Sequence, residues 1–316
     1  MTPYPPVLAP GTARAVIGPI QPDYPVTEVL RRTGGEVSTV YEIRGAGAVR
    51  PLIVKIYAPQ WRPKLLKEVY IYRLLSRGGI RHIPRVLHAS PFGTPALPLA
   101  HSVMTLLPGR PLAEIRDDLA GTDLAAVYRQ MGELLAAVHR ITQSKWGYVT
   151  TRVVDIRPTN TAYMTDQFAR RLRAFDELDG DPALAAAIDR HVARHADLFA
   201  ACTEPVLCHN DFHQGNVLVS GPQVTGFVDV EGAIAADPLF DLARTDYYAL
   251  RDDPAARAAF LDGYGPLPPD WADRIALYQV HHAVELWNWA TRIGKPADRF
   301  RALTDIDALL TSEPIG

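Results

Sequence analysis

His209, Asp211 and Asn216 are spaced as H-x-D-x-x-x-x-N within Val206-Leu207-Cys208-His209-Asn210-Asp211-Phe212-His213-Gln214-Gly215-Asn216-Val217-Leu218-Val219. One apolar run enters this polar stretch and another leaves it, so the polar residues belong to a loop clamped between two buried strands. A further apolar run over residues 225–230 carries Asp229 at its end. A carboxylate can orient an attacking hydroxyl and accept its proton. Side-chain oxygens are the ligands that a hard cation such as Mg2+ takes. Asp211 suits the first task, and Asn216 and Asp229 suit the second, the division of labour that phosphoryl transfer requires. His209 shapes the loop by hydrogen bonding. Each residue alone would be an ordinary turn residue satisfying backbone groups; it is their combination that points to chemistry.

Phosphate also needs a cation. Arginine greatly outnumbers lysine in this chain, yet Lys55 sits in the middle of Leu52-Ile53-Val54-Lys55-Ile56-Tyr57, a β-branched strand pattern. Residues 64–76 carry apolar side chains at helical spacing (Leu65, Leu66, Val69, Tyr72, Leu75), and Glu68 lies on that helix. Upstream, Gly34-Gly35-Glu36-Val37-Ser38-Thr39 reads as the turn of a hairpin whose glycines admit phosphate oxygens, with Ser38 and Thr39 as added donors.

The segments HNDFHQGN, VDVEG and DPLFDLAR resemble the aminoglycoside phosphotransferase family, a branch of the protein-kinase-like fold. The resemblance implies an α+β, bilobal protein-kinase-like fold, with a β-rich N-terminal lobe and a mainly helical C-terminal lobe. It implies Asp211 as base, Asn216 and Asp229 as Mg2+ ligands, and a Lys55–Glu68 ion pair on the phosphates of ATP or GTP. It also implies a hinge at 103–107, where the backbone at Met104 and Leu106 would meet the purine. Protein kinases carry Arg where Asn210 stands, and D-F-G where Asp229-Val230-Glu231-Gly232 stands. Both departures point away from protein substrates and toward an antibiotic or metabolite. In DPLFDLAR, Asp237 suits a helix N-cap and Pro238 the first helical position. Asp241 is assigned a structural role, bracing the catalytic loop.

Residues 1–107 are expected to form the nucleotide-binding lobe and 108–316 the helical lobe with catalytic loop and substrate site, with a ligand cleft where the lobes meet. The first twenty-odd residues, rich in proline, read as an irregular arm or short edge element, and Glu28–Arg32 as the end of a short helix or strand. Helices are expected over 124–141 (Met131, Leu134, Leu135 and Val138 on one face), 183–199 and 270–292. A cationic acceptor would be met by carboxylates and aromatic faces. Glu231, Glu285 and Trp289 are the leading candidates, with Asp246, Tyr247 and Trp287 behind them. The adjacent pair His281 and His282 diverges on a helix, which argues against a metal role.

The whole chain sets outer bounds. It has 316 residues, net charge −2 and 47% hydrophobic residues, enough for a real core and without a basic footprint for nucleic acid. No apolar run reaches the roughly 18 residues of a membrane span, and the N-terminus lacks a secretory pattern. Two cysteines, Cys202 and Cys208, suit buried thiols in a reducing cytoplasm. The expectation is a cytoplasmic monomer or weak dimer. It would transfer the γ-phosphate of ATP or GTP to a hydroxyl of an aminoglycoside or related antibiotic. A metabolic kinase for an amino alcohol, sugar or nucleoside-like compound is the first alternative, and a nucleotide-binding regulator without turnover the second.

Overall fold

A computed structural model describes residues 7–34 and 37–311. In chain order the elements are α1 (Pro10–Ile17), β1 (Val26–Gly34), β2 (Ser38–Gly45), β3 (Leu52–Tyr57), α2 (Arg62–Arg77), β4 (Val86–Ser90), β5 (His101–Thr105), β6 (Arg110–Pro111), α3 (Leu112–Ile115) and α4 (Gly121–His139). Then come β7 (Trp146–Val149), β8 (Val153–Arg157), α5 (Asn160–Asp176), α6 (Pro182–Arg194), α7 (Asp197–Ala200), β9 (Val206–Cys208), β10 (Val217–Ser220), β11 (Gln223–Phe227) and β12 (Ile234–Ala236). Helices α8 (Pro238–Thr245), α9 (Pro254–Tyr264), α10 (Trp271–Arg292) and α11 (Pro296–Thr311) follow. The chain divides into two units. One holds the residues up to Asp118, Thr150–Arg152 and Gly215–Glu231; the other holds Leu119–Val149, Val153–Gln214 and the residues from Gly232 onward.

The first unit is built on an antiparallel sheet of order β1-β2-β3-β5-β4. The two-residue period of β3 sorts its side chains. Leu52, Val54 and Ile56 enter a core with Ala13, Val16 and Ile17 of α1, while Tyr57 packs with Leu65 of α2 and Ala100. Lys55 therefore shares the α2 side of the strand with Tyr57. Helix α1 corrects the expectation of an irregular arm. Pro10 occupies its first turn, where the missing N–H costs nothing, and Ala13, Val16 and Ile17 recur at helical spacing. Glu28–Arg32 lies inside β1. Gly35 and Glu36 of the glycine turn, and residues 1–6, lie outside the described residues. A second small sheet, β11-β10-β6, carries the hairpin that follows the His209–Asn216 loop.

The second unit contains the sheet β8-β7-β12-β9 and the long helices. Met131, Leu134, Leu135 and Val138 of α4 are all buried, as their spacing predicts. The expected helix over 183–199 is instead the two helices α6 and α7, because His195 leaves helical geometry at φ −106°. The 270–292 helix is α10. Among the described residues, no helix is long and apolar enough to cross a membrane.

Helices α4 and α9 approach at glycines on both sides. A Cβ on Gly263 would lie 1.9 Å from the Arg129 carbonyl oxygen, and one on Gly132 would lie 2.0 Å from that of Phe260. Alanine's better helix propensity is worth about 1 kcal/mol, but a backbone oxygen cannot rotate away, and overpacking costs about 1–3 kcal/mol. Gly263→Ala is therefore expected to lower the urea midpoint with an unchanged m value; a raised midpoint would contradict this close approach.

Candidate functional site

In the first unit Lys55 lies at the centre of a carboxylate cluster. Its Nζ is 3.0 Å from Glu68 Oε1, 3.3 Å from Asp229 Oδ1 and 3.5 Å from Glu231 Oε2. The Tyr57 hydroxyl donates to the second Glu68 oxygen, and its ring lies under the ammonium at 5.5 Å. Burial alone would lower the Lys55 pKa; the charges of Glu68 and Asp229 outweigh it and hold the pKa well above the usual value. The Glu231 carboxyl is pushed up, first by burial and then by the Asp229 charge, against the pull of Lys55. Lys64 Nζ donates to the Glu231 carbonyl oxygen at 3.3 Å. Lys67, also buried on α2, is pushed down to about 6 by burial and by the Lys64 charge.

Asn216 and Asp229 issue from the same end of the β10–β11 hairpin. Val217 is opposite Phe227, and Val228 N donates to the Asn216 carbonyl oxygen at 2.9 Å. Asp229 has φ +64°, a left-handed conformation that Asp tolerates better than most residues. Its side chain is 43% exposed. The two residues thus leave the same end of the hairpin, and an amide oxygen and a half-exposed carboxylate are ligand types that fit Mg2+. Of the two expected phosphate-loop donors, Ser38 begins β2 opposite Tyr57, and Thr39 is buried opposite Ile56. Met104 is buried in β5 between Ile53 and Val86. Leu106 N donates to the Pro51 carbonyl oxygen at 3.4 Å, which ties the segment after β5 to the residue before β3.

The second unit holds Asp211 on a loop pinned from below. The Asp241 carboxylate accepts from His209 N at 2.6 Å and from Asn210 N at 2.8 Å. It also pairs with His139 Nε2 at 3.1 Å, and His139 Nδ1 meets the Tyr264 hydroxyl at 2.7 Å. Asp241 stands in the first turn of α8, whose N-cap is Asp237: Leu239 N donates to Asp237 Oδ1 at 2.8 Å. Thr245 Oγ1 donates to the Phe212 carbonyl oxygen, and the Gln214 amide donates to the Tyr128 hydroxyl and the Ala249 carbonyl oxygen. His209 is buried edge-on against Phe212. The loop therefore has little freedom at either end. Asn210 takes φ +59°, which turns the chain so that Asp211 projects beyond the pinned backbone.

Asp211 Oδ1 is 3.3 Å from Arg244 Nη2, and its other oxygen is 3.7 Å from His213 Nε2. Burial alone would raise its pKa; the His213 hydrogen bond and the Arg244 charge outweigh it, so the carboxyl is held well below the ordinary value. The other arm of Arg244 pairs with Glu285, which also pairs with Arg171. Of these groups, Arg171 and Glu285 line a cavity of about 330 Å³, with Tyr148, Asp155, Tyr163, Arg170, Asn210, Phe240 and His281, among others.

Of the expected substrate residues, Glu285 lines this cavity with its carboxylate already engaged by two arginines. Trp289 does not line it; it is 46% exposed, with Lys295 over its ring. Glu231 belongs to the Lys55 cluster in the first unit. Tyr247 donates to Asp305, Asp246 pairs with Arg257, and Trp287 packs on Phe175. Arg244, Arg171 and Asp155 were not foreseen. Arg244 was within reach, because it follows Asp241 by three residues on the same short helix and so shares its side.

The chain matches the model of the phosphotransferase enzyme family over residues 28–277 and belongs to that family. It is a phosphotransferase. Solved structures share its fold. A thermostable mutant of aminoglycoside phosphotransferase APH(4)-Ia, in its apo form, is 19% identical with TM-score 0.75, covering 98% of this chain and 100% of that one. A putative fructosamine-3-kinase from Thermobifida fusca YX-ER1 is 21% identical with TM-score 0.65, covering 92% and 98%. The streptomycin–ATP ternary complex of APH(2")-IIa is 14% identical with TM-score 0.64, covering 96% and 99%. The fold is thus protein-kinase-like, with a β-rich N-terminal region and a mainly helical C-terminal region.

The Asp241 anchor yields a test. Removing one partner from a buried ionic network costs about 3–5 kcal/mol, so Asp241→Ala should lose that much in urea unfolding. Burial would raise the Asp241 pKa, but the His139 hydrogen bond and charge bring it below the ordinary 3.8. A depressed folded pKa gives stability that is complete above the unfolded value and is lost as pH falls through the folded one. The stability gap between wild type and Asp241→Asn should stay constant from about pH 7 to 5 and close only below the 3.8 of the free carboxyl.

Proposed function

We propose that this phosphotransferase moves the γ-phosphoryl group of ATP or GTP to a hydroxyl of a small molecule, with Asp211 at the acceptor oxygen. The observation that carries the reading is the placement of Asp211: an ionised carboxylate on a loop whose backbone is fixed by the buried Asp241. Asp211 accepts a hydrogen bond from the acceptor hydroxyl and takes up its proton as the new O–P bond forms. The bond from the γ-phosphorus to the bridging oxygen breaks, and the nucleoside diphosphate leaves with those electrons. A carboxylate whose pKa is this depressed is a weak base, so its main contribution is orientation. That suffices for phosphoryl transfer, whose loose transition state draws chiefly on positioning and charge stabilisation.

Asn216 and Asp229 would hold Mg2+, which neutralises charge on the phosphates when bound. Lys55, steadied by Glu68, supplies a fixed ammonium for phosphate oxygens, and Ser38 and Thr39 lie at the start of the strand paired with β3. The segment through Met104 and Leu106 is the proposed seat of the purine. The neighbours bound to hygromycin B and to streptomycin support an aminoglycoside or related antibiotic as acceptor. A metabolic hydroxyl compound is the second reading. The fructosamine-3-kinase neighbour supports it, as does the arginine pairing of both carboxylates that line the cavity.

Release of nucleoside diphosphate tests the reaction, with ATP and GTP run in parallel against a panel of hydroxyl compounds. Asp211→Ala should lower kcat by about 10²–10⁴, and full turnover by that variant would sink the mechanism. Asp229→Ala and Asn216→Ala should raise the Mg2+ concentration needed for half-maximal rate, and Lys55→Ala should raise the KM for nucleotide. Resistance conferred on a sensitive host would select the antibiotic branch.

A further inference from the structure

The cavity in the second unit carries polar groups that its own walls do not satisfy. His281 on α10 is 2% exposed, and among the described residues neither of its ring nitrogens has a hydrogen-bond partner. Phe168 and Phe240 hold the ring edge-on, at 5.3 and 5.1 Å between centroids. Burial, together with the charge of Arg171, keeps the imidazole neutral, so it presents one donor and one acceptor. Asn210 donates its amide N–H to the Gly232 carbonyl oxygen at 3.2 Å, while its Oδ1 is buried without a donor. A buried polar atom left unpaired costs about 1–3 kcal/mol, which a ligand recovers if a small shift of the wall opens that atom to it. Asn210 and Asp155, both on the cavity wall, are also two of the non-glycine residues held at positive φ, and such strain gathers at binding and catalytic sites.

The charges on the wall are balanced. Asp155 pairs with Arg157 and Arg170, and Asp166 pairs with the same two arginines. Glu285 pairs with Arg171 and Arg244, and Arg244 reaches on to Asp211. Four guanidinium groups thus face four carboxylates. A polycation entering here would displace arginines or sit beside them, at a like-charge cost. The cavity of about 330 Å³ lies at the small end of the range of small-molecule sites.

We infer that this cavity is the acceptor subsite and that it takes an uncharged, hydroxyl-rich ring compound, with His281 and the Asn210 side-chain oxygen as its polar contacts. A hydroxyl both donates and accepts, so neighbouring hydroxyls on a ring match a neutral imidazole and an amide oxygen. Through Glu285 and Arg244 the wall of the subsite is linked to the Asp211 carboxylate. The inference rests on reading the chain as a hydroxyl kinase, and the two can fail separately.

The test uses the full chain. Binding of methyl hexosides, methyl pentosides and inositols is measured by calorimetry and saturation-transfer NMR, beside the amine- and guanidine-bearing hygromycin B and streptomycin. ADP release is followed in the same samples with MgATP added. At least one uncharged compound should bind more tightly than either antibiotic. His281→Phe keeps the aromatic packing but removes both nitrogens, and should weaken that compound about tenfold. Tighter binding of either antibiotic, no binding of any uncharged compound, or an unchanged affinity in His281→Phe with wild-type thermal stability would overturn the inference. An uncharged compound that binds through His281 without ADP release would support the subsite and count against the hydroxyl-kinase reading.

Discussion

The hydrogen bonds from the His209 and Asn210 backbone amides to the Asp241 carboxylate organise the chemistry of the second unit. Burying a carboxylate costs several kcal/mol unless its lone pairs are satisfied. Asp241 is fully buried, and its oxygens meet two amides and the His139 ring. The arrangement joins three distant stretches of chain: the end of α4, the loop after β9 and the first turn of α8. Asp237, four residues earlier, does the same for helix packing, capping α8 while taking bonds from Arg274 and Tyr278. Together the two aspartates make the start of α8 a fixed reference for the loop that carries Asp211.

Left-handed backbone occurs at non-glycine positions in both units. Asn210 and Asp229 sit in left-handed backbone next to their functional neighbours, and Asp155 does so on the cavity wall. Each such conformation costs on the order of 1 kcal/mol or more for a residue with a Cβ. Asn and Asp tolerate it because their short polar side chains bond locally. At Asn210 the compensation is visible: its N–H reaches Asp241 and its amide reaches the Gly232 carbonyl oxygen. Residue 210 therefore has a structural reason to be Asn, beyond simply differing from the Arg of protein kinases.

Much of this was legible in the sequence because it is local. The polar loop between apolar runs, the lysine within a β-branched strand, the glutamate on the next helix and the Asp237-Pro238 cap are each set within a few residues. Elements with weak local signals were not. Helix α1 was hidden by proline content, although Pro10 begins it. Helix α5 buries only Asn160, Tyr163, Met164, Phe168 and Phe175, and its remaining face is polar. Its Arg170 and Arg171 reach the cavity's carboxylates, Asp155 and Glu285, more than a dozen residues away in sequence. Glu285 and Trp289 illustrate the same limit. Four-residue spacing places both on one side of α10, but which side chain meets an arginine and which meets solvent depends on α5 and α8.

The pairing of Arg244 with both Asp211 and Glu285 bears on how recognition and chemistry are joined. A guanidinium has a planar fork that can serve two carboxylates at once. Against burial, and together with the His213 hydrogen bond, Arg244 holds the Asp211 carboxyl below its ordinary pKa. Glu285 is engaged by Arg244 and by Arg171. One arginine thus ties the Asp211 carboxylate to Glu285, whose charge it balances together with Arg171. Freeing Glu285 would loosen the same arginine that steadies Asp211.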